Sequence, residues 1–146
     1  MASASSGRAR RSDYPHLLAI TTRWADNDAY GHVNNTVYYG YFDTVVNEFL
    51  VRGGVLDIAA GRQIGLVRET RCVYHAPVSF PERVTAGLKV ARIGSSSVTY
   101  EIAIFREDDE EAAAEGHFVH VYVDRETRRP APLDPALRAL LETVAG

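Results

Sequence analysis

One stretch of this chain has a helical period, and almost everything after it does not. Val37, Tyr38, Tyr41, Phe42, Val45, Phe49 and Leu50 recur at steps of one, three and four, which lays a wide apolar stripe along a helix. The stripe carries so much aromatic and aliphatic bulk that the helix, at about Asn35–Arg52, should lie deep in the domain. Gly53-Gly54 stops it, as glycine does just past a helix end. Asn34 or Asn35 stands where an N-cap is wanted. Beyond the helix, "GLVRETRCVY", "VTAGLKVARI", "SSVTYEIAIFR" and "AAAEGHFVHVYVD" read as four strands. Val98, Tyr100, Ile102 and Ile104 alternate with Thr99, Glu101 and Ala103, the period of a pleated strand. "EDDEE" is a charged hairpin tip, so the strands on either side of it are antiparallel neighbours. "HLLAITTRW" upstream, His16–Trp24, supplies a fifth strand. "RRPAPLDP" leads to a short terminal helix, Pro135–Val144. This order predicts an α+β fold, with one long helix wrapped by a mostly antiparallel five-stranded sheet. Such a sheet has two open edges. Pairing one of them across a two-fold axis is a common remedy.

At 146 residues the chain is long enough for one ordinary domain and short for two. Residues 14–146 are read as that domain. Residues 1–13 begin "MASASSGRARRS", small, polar and basic, and are read as a disordered tail. They lack the apolar run of a secretory signal. No stretch is long and apolar enough to suggest a membrane span. A net charge of −3 provides no overall basic field for nucleic acid. The single cysteine, Cys72, excludes an intramolecular disulfide and a multi-thiolate metal site. It fits a reducing, cytoplasmic compartment. His75, His117 and His120 form no recognisable ligand set with nearby acids. His117 and His120 should point to opposite faces of their strand, being an odd number of residues apart.

The densest polar segment is "DNDAYGHVNN", Asp26–Asn35, between the first strand and the aromatic helix. Functional residues concentrate on loops held by a rigid scaffold. The combined pattern D-x-D-x-x-G-H-V-N-N-x-x-Y, with "YFD" at Tyr41–Asp43, "YHAPVSFPERV" after the second strand, the "IGSSS" turn and "VDRETRRPAPL" near the end, resembles the hotdog-fold thioesterases. The likeness runs from about Tyr14 to Leu141 and is greatest to the 4-hydroxybenzoyl-CoA thioesterase-like branch. It implies hydrolysis of an acyl thioester, usually acyl-CoA, with neither metal nor organic cofactor. It also implies sites between subunits of a homodimer or homotetramer. The second acid of the pair, here Asp28, corresponds to the family's nucleophile or general base. The N–H that polarises the carbonyl corresponds to the backbone of Asn35. The His-Val-Asn-Asn form also resembles acyl-ACP thioesterases, in which the equivalents of His32 and Asn34 have catalytic parts. Hotdog domains serve as non-catalytic acyl-CoA-binding modules as well, a reading that the acid at Asp28 disfavours.

The chemistry agrees with the resemblance. A helix start offers unpaired N–H groups and a positive dipole end to a developing oxyanion. A thiolate leaves readily, so one placed carboxylate can suffice as base. Asp26 reads better as a structural acid that orders the loop. His32 either orders the loop or touches the chemistry. Asn34 either orients substrate or water, or caps the helix. Gly31 allows a positive φ or close approach of the acyl group. Tyr38 either packs or lines the acyl pocket. Arg92, Ser95, Ser96 and Ser97 either contact the nucleotide or pantetheine of CoA or form a polar hairpin turn.

Overall fold

The computed structural model describes residues 7–146. Its strands are β1 (His16–Thr21), β2 (Gln63–Tyr74), β3 (Arg83–Ile93), β4 (Ser97–Arg106) and β5 (Ala114–Asp124). The helices are α1 (Val37–Arg52) and α2 (Pro135–Glu142). The strands form a single sheet in the order β1-β3-β4-β5-β2, and every pairing is antiparallel. The sheet curls around α1, which is the hotdog architecture expected from the sequence.

α1 buries Tyr38, Tyr41, Phe42, Val45, Val46, Phe49 and Leu50. These residues meet the alternating inner face of the central strands, where Val98, Tyr100, Ile102 and Ile104 are fully buried. Phe42 lies edge-on to Phe118 of β5, with centroids 6.3 Å apart. The two tyrosines facing each other across β4 and β5 solve their polarity jointly. The Tyr100 and Tyr122 hydroxyls are 2.6 Å apart and share one hydrogen bond in the core.

The regular helix starts two residues later than the sequence pattern suggests, at Val37. Asn34 Oδ1 accepts from the Thr36 N–H at 3.0 Å, and the Val37 N–H bonds the Asn34 carbonyl at 2.9 Å. Asn34 therefore caps a tight preliminary turn, and the α-helix proper grows from it.

The outer face of β4 is also buried near its end, at Ala103 and Phe105. What covers it corrects the tail reading for residues 8–13. The Ala112 N–H bonds the Ala9 carbonyl, and the Arg11 N–H bonds the Glu110 carbonyl, both within 2.9 Å. Arg8 donates to the Ala112 carbonyl at 2.8 and 2.6 Å. Tyr14 packs edge-on against Phe105, and the Arg11 guanidinium sits over the same ring. The physical reason is complementarity: a basic, hydrogen-bonding segment meets the acidic β4–β5 tip and shields an aromatic ring. Residues 1–6 of the tail lie outside the described residues.

β2 is an edge strand, 12 residues long and mostly exposed. Leu66, Val67, Val73 and Tyr74 are each at least 40% exposed along it, an apolar edge of the kind that invites pairing. No helix among the described residues is long and apolar enough to cross a membrane.

Candidate active site

The polar loop closes on itself as a miniature hairpin. Asn27 and Val33 form an isolated antiparallel bridge. The Asp28 N–H bonds the His32 carbonyl at 2.9 Å, and the Gly31 N–H bonds the Asp28 carbonyl at 3.0 Å. Gly31 has a φ of +82°, the left-handed conformation that this turn demands and glycine adopts without penalty. The hairpin is pinned from outside by the segment before β3. The Val33 N–H bonds the Val78 carbonyl, Ser79 Oγ donates to the Gly31 carbonyl, and the Phe80 N–H bonds Asn27 Oδ1.

The two acids of the loop have different environments. Asp26 is 1% exposed. One of its oxygens accepts from the Arg23 N–H at 2.9 Å and the Tyr41 hydroxyl at 2.8 Å. The other faces the Arg23 guanidinium at 2.8 Å. Burial raises its pKa, but the backbone bond from Arg23, the Tyr41 hydroxyl and the Arg23 guanidinium together outweigh it and hold the acid below the ordinary carboxylate value. With no open side, it serves to fasten the loop to α1, as its structural reading requires.

Asp28 is half-buried. Its Oδ1 accepts from the Tyr30 N–H at 2.9 Å, and its Oδ2 accepts from Asn34 Nδ2 at 3.2 Å. Asn34 thus bridges two features: its amide nitrogen holds the acid, and its amide oxygen accepts from the Thr36 N–H and hydroxyl in the turn before α1. Of its two readings, the structure favours a local structural one, in the turn that leads into α1. The next residue, Asn35, is exposed, and its N–H has no acceptor among the described residues. Tyr74 holds the same peptide segment from β2, donating its hydroxyl to the Asn35 carbonyl at 2.7 Å. A surface cavity of about 300 Å³ opens here, lined by residues including Asn35, Tyr38, Tyr74 and His75.

Tyr38 packs, as one of its readings has it. It is 2% exposed, packs edge-on to Tyr74 at 5.0 Å, and lines this cavity. Burial pushes its hydroxyl up to about 12, so it stays neutral. His32 is exposed, and its imidazole makes no hydrogen bond among the described residues; only its backbone meets Asp28. Cys72 is half-buried, and burial raises its thiol to about 11, so it is no thiolate nucleophile.

Arg92, Ser95, Ser96 and Ser97 do not join the cluster within one chain. β3 begins beside the loop and ends at Ile93, which separates the two regions by roughly 30 Å of strand. The Ser95 and Ser96 carbonyls accept from the Leu133 and Tyr122 N–H groups, so the turn anchors the C-terminal segment. Among the described residues, no three His, Cys, Asp or Glu side chains are placed to hold a metal ion.

Residues 22–141 match the family model described as Thioesterase-like superfamily. The chain belongs to that superfamily. It is 51% identical to the PA5185 protein of Pseudomonas aeruginosa, with a TM-score of 0.93 over 95% of this chain and 97% of that one. It is 31% identical to the PA2801 protein of the same organism, a thioesterase candidate, with a TM-score of 0.80 over 86% of this chain and 97% of that one. A 1,4-dihydroxy-2-naphthoyl-CoA thioesterase from Synechocystis shares the fold at 16% identity, with a TM-score of 0.78 over 86% and 93% of the two chains. In this thioesterase-like protein, Tyr74 opens the "YHAPVSFPERV" segment of the resemblance, but the sequence assigns it no role, because its bond to Asn35 joins residues 39 positions apart.

Proposed function

We propose that this protein hydrolyses acyl-CoA thioesters to the free acid and CoA, with Asp28 as nucleophile or general base and the Asn35 N–H as the oxyanion donor. The observation that carries the reading is the adjacency of these two groups. The Asp28 carboxylate is one hydrogen bond from Asn34, and Asn34 immediately precedes an N–H left open in the turn that leads into α1. A thioester carbonyl directed at that N–H and the helix dipole would have its developing negative charge stabilised by roughly 3–4 kcal/mol. With Asp28 as base, it takes a proton from water and the water oxygen adds to the carbonyl carbon. The C–S bond then breaks, CoA leaves as the thiolate, and the proton ends on the released products. With Asp28 as nucleophile, a mixed anhydride forms as the C–S bond breaks, and water then cleaves it. Either route needs only one carboxylate because the thiolate is a good leaving group.

The working unit is a homodimer or a pair of dimers. The long exposed apolar edge at β2 supports this, since self-pairing would cover it. Antiparallel pairing of β2 with a second copy would set the Tyr74 end of one against the Gln63 end of the other. It would also bring the 94–97 turn of the second copy to the same end of the joined sheet as the Asp28 loop. In that arrangement Arg92 and Ser95–Ser97 could serve a CoA bound across the interface.

The test is Asp28→Asn beside His32→Gln, assayed by release of free thiol from a panel of acyl-CoA esters. Asp28→Asn should lower kcat by about 10²-fold or more with the fold intact. His32→Gln should stay within roughly tenfold of wild type. Near wild-type turnover by Asp28→Asn on the best substrate would remove Asp28 from the mechanism.

A further inference from the structure

A second cavity, about 270 Å³, lies away from the Asp28 loop, between the C-terminal half of α1, β2, β5 and the segment after the helix. Its walls include Leu50, Leu56, Ile64 and Val67. Its most unusual feature is His120 on the inner face of β5. The imidazole is 4% exposed, and neither of its nitrogens meets a hydrogen-bond partner among the described residues. It is stacked among Phe118, Tyr100 and Tyr122, with centroids 4.8, 5.2 and 6.1 Å away. The Tyr100 and Tyr122 hydroxyls bond each other, and neither bonds the ring. Burial lowers the His120 pKa to about 4, so the ring is neutral near pH 7, with one N–H donor and one bare nitrogen acceptor.

The room in front of that ring is maintained by Gly65 of β2. A Cβ at this position would come within 3.1 Å of His120 Nδ1 and 3.0 Å of the Tyr122 ring. Any larger residue would therefore crowd the imidazole. At the rim, Asn47 Nδ2 is already committed to Asp43, through its carbonyl at 2.8 Å and its Oδ1 at 3.1 Å. The Arg125 guanidinium, also at the rim, donates to the carbonyls of Ile58, Asp57 and Gly61 and keeps its positive charge beside the Asp43 carboxylate. Val67 and Ile58 at the mouth are 51% and 72% exposed, so the polar rim is interrupted by apolar surface through which an acyl group can enter. The cavity is thus an apolar chamber with one neutral donor–acceptor group in its wall.

We infer that this cavity receives the acyl group, and that His120 selects acyl groups carrying a hydroxyl on an otherwise apolar body. A hydroxyl is the small neutral group that can both donate and accept, which matches a neutral imidazole whichever nitrogen carries the proton. An unsubstituted alkyl or aryl group leaves both ring nitrogens unpaired, as they are in the free protein, whereas a hydroxyl that reaches one of them gains a bond. A carboxylate or phosphate would have to leave water for an apolar chamber whose only inner polar group is the neutral imidazole, a costly transfer for an unpaired charge. The inference rests on the thioesterase reading and deepens it. In the antiparallel β2 pairing proposed above, residues 63–67 at the cavity mouth adjoin the Tyr74 end of the second copy, and Tyr74 holds the Asn35 peptide segment. The reacting carbonyl and the buried imidazole would then serve opposite ends of one acyl group.

The experiment compares matched CoA esters that differ in one hydroxyl: butanoyl, hexanoyl and octanoyl against their ω-hydroxy forms, and cinnamoyl against 4-hydroxycinnamoyl. For at least one pair, wild type should favour the hydroxylated ester in kcat/KM by about tenfold or more, the ratio expected when a buried polar group is left unpaired. His120→Phe should bring that ratio to within about threefold of unity. Gly65→Ala, which fills the space before the ring and presses on the Tyr122 ring, should do the same, compared at equal folded fraction. A readout independent of turnover is the imidazole 15N resonances of His120 in wild type. They should shift on adding the hydroxylated free acids and not the parent acids. If no ester is hydrolysed but the resonances shift selectively, the thioesterase reading fails and the His120 site stands. If esters are hydrolysed with a ratio near unity in every pair and no selective shift, no hydroxyl reaches the ring and the inference is overturned. A hydroxyl preference that survives both substitutions overturns it as well.

Discussion

Replacing Asp26 by asparagine separates fastening from chemistry in the polar loop. The carboxylate of Asp26 is buried and accepts from the Arg23 N–H, the Arg23 guanidinium and the Tyr41 hydroxyl. The guanidinium itself is largely exposed, so its ion pair adds no more than about 1 kcal/mol. The bonds from the Arg23 N–H and the Tyr41 hydroxyl are to a buried charge, a class worth about 1.5–3 kcal/mol each. An amide can keep its oxygen toward one set of donors, but its NH₂ then faces the other set. The expected loss is about 2–3 kcal/mol, or about 5–10 °C in Tm for a domain of this size. Asp28→Asn, on a half-buried group with two local bonds, should cost less than about 1 kcal/mol. The pH dependence has a definite sign. Because the folded pKa of Asp26 is lowered, its contribution is present above the unfolded value and is lost as pH falls through the folded one. The penalty of Asp26→Asn should therefore be full at pH 7 and shrink toward zero in acid. The assay is urea denaturation followed by circular dichroism at equal protein concentration, since association would add its own stability. Fluorescence is a poor reporter, because the only tryptophan, Trp24, is 80% exposed. A penalty under about 0.5 kcal/mol at pH 7, or one that is unchanged down to pH 3, would refute the assignment of Asp26 as the loop's fastening.

Tyr122→Phe should destabilise by about 1–3 kcal/mol because it strands the Tyr100 hydroxyl in the core, and Tyr100→Phe in the same chain should recover much of the loss; equal denaturation midpoints for all three variants would contradict the shared bond. Tyr74→Phe should lower kcat severalfold with KM and Tm nearly unchanged, since it frees the Asn35 peptide from β2; a change confined to KM would give Tyr74 a binding role instead. Sedimentation at micromolar concentration should find a dimer or larger, and a monomer with full activity would exclude the proposed use of β2 as a subunit interface.

The elements themselves were legible along the chain. A strand or helix repeats a local period, so Tyr38, Tyr41, Phe42 and Val45 announce a buried helix, and Val98 to Ile104 announce a half-buried strand, without knowledge of what covers them. The loop motif was equally plain, because Asp28, Gly31 and Asn34 make their bonds within a few residues of one another. The order of strands in the sheet depended on long-range pairing, and so did the cover over Phe105. Nothing in "RARRS" says that it will lie along the acidic tip about a hundred residues later.

His120 is the clearest case of what only the tertiary structure decided. In sequence it is one polar residue in an alternating strand, and its separation from His117 correctly assigns the two to opposite faces of β5. Whether an inward histidine is bonded, however, depends on residues of other strands. Tyr100 and Tyr122 bond each other, while Gly65 keeps the space before the ring open. Period fixes the direction of a side chain because it is a property of the backbone. The partner that a side chain meets is a property of the packed neighbours, and those come from every part of the chain.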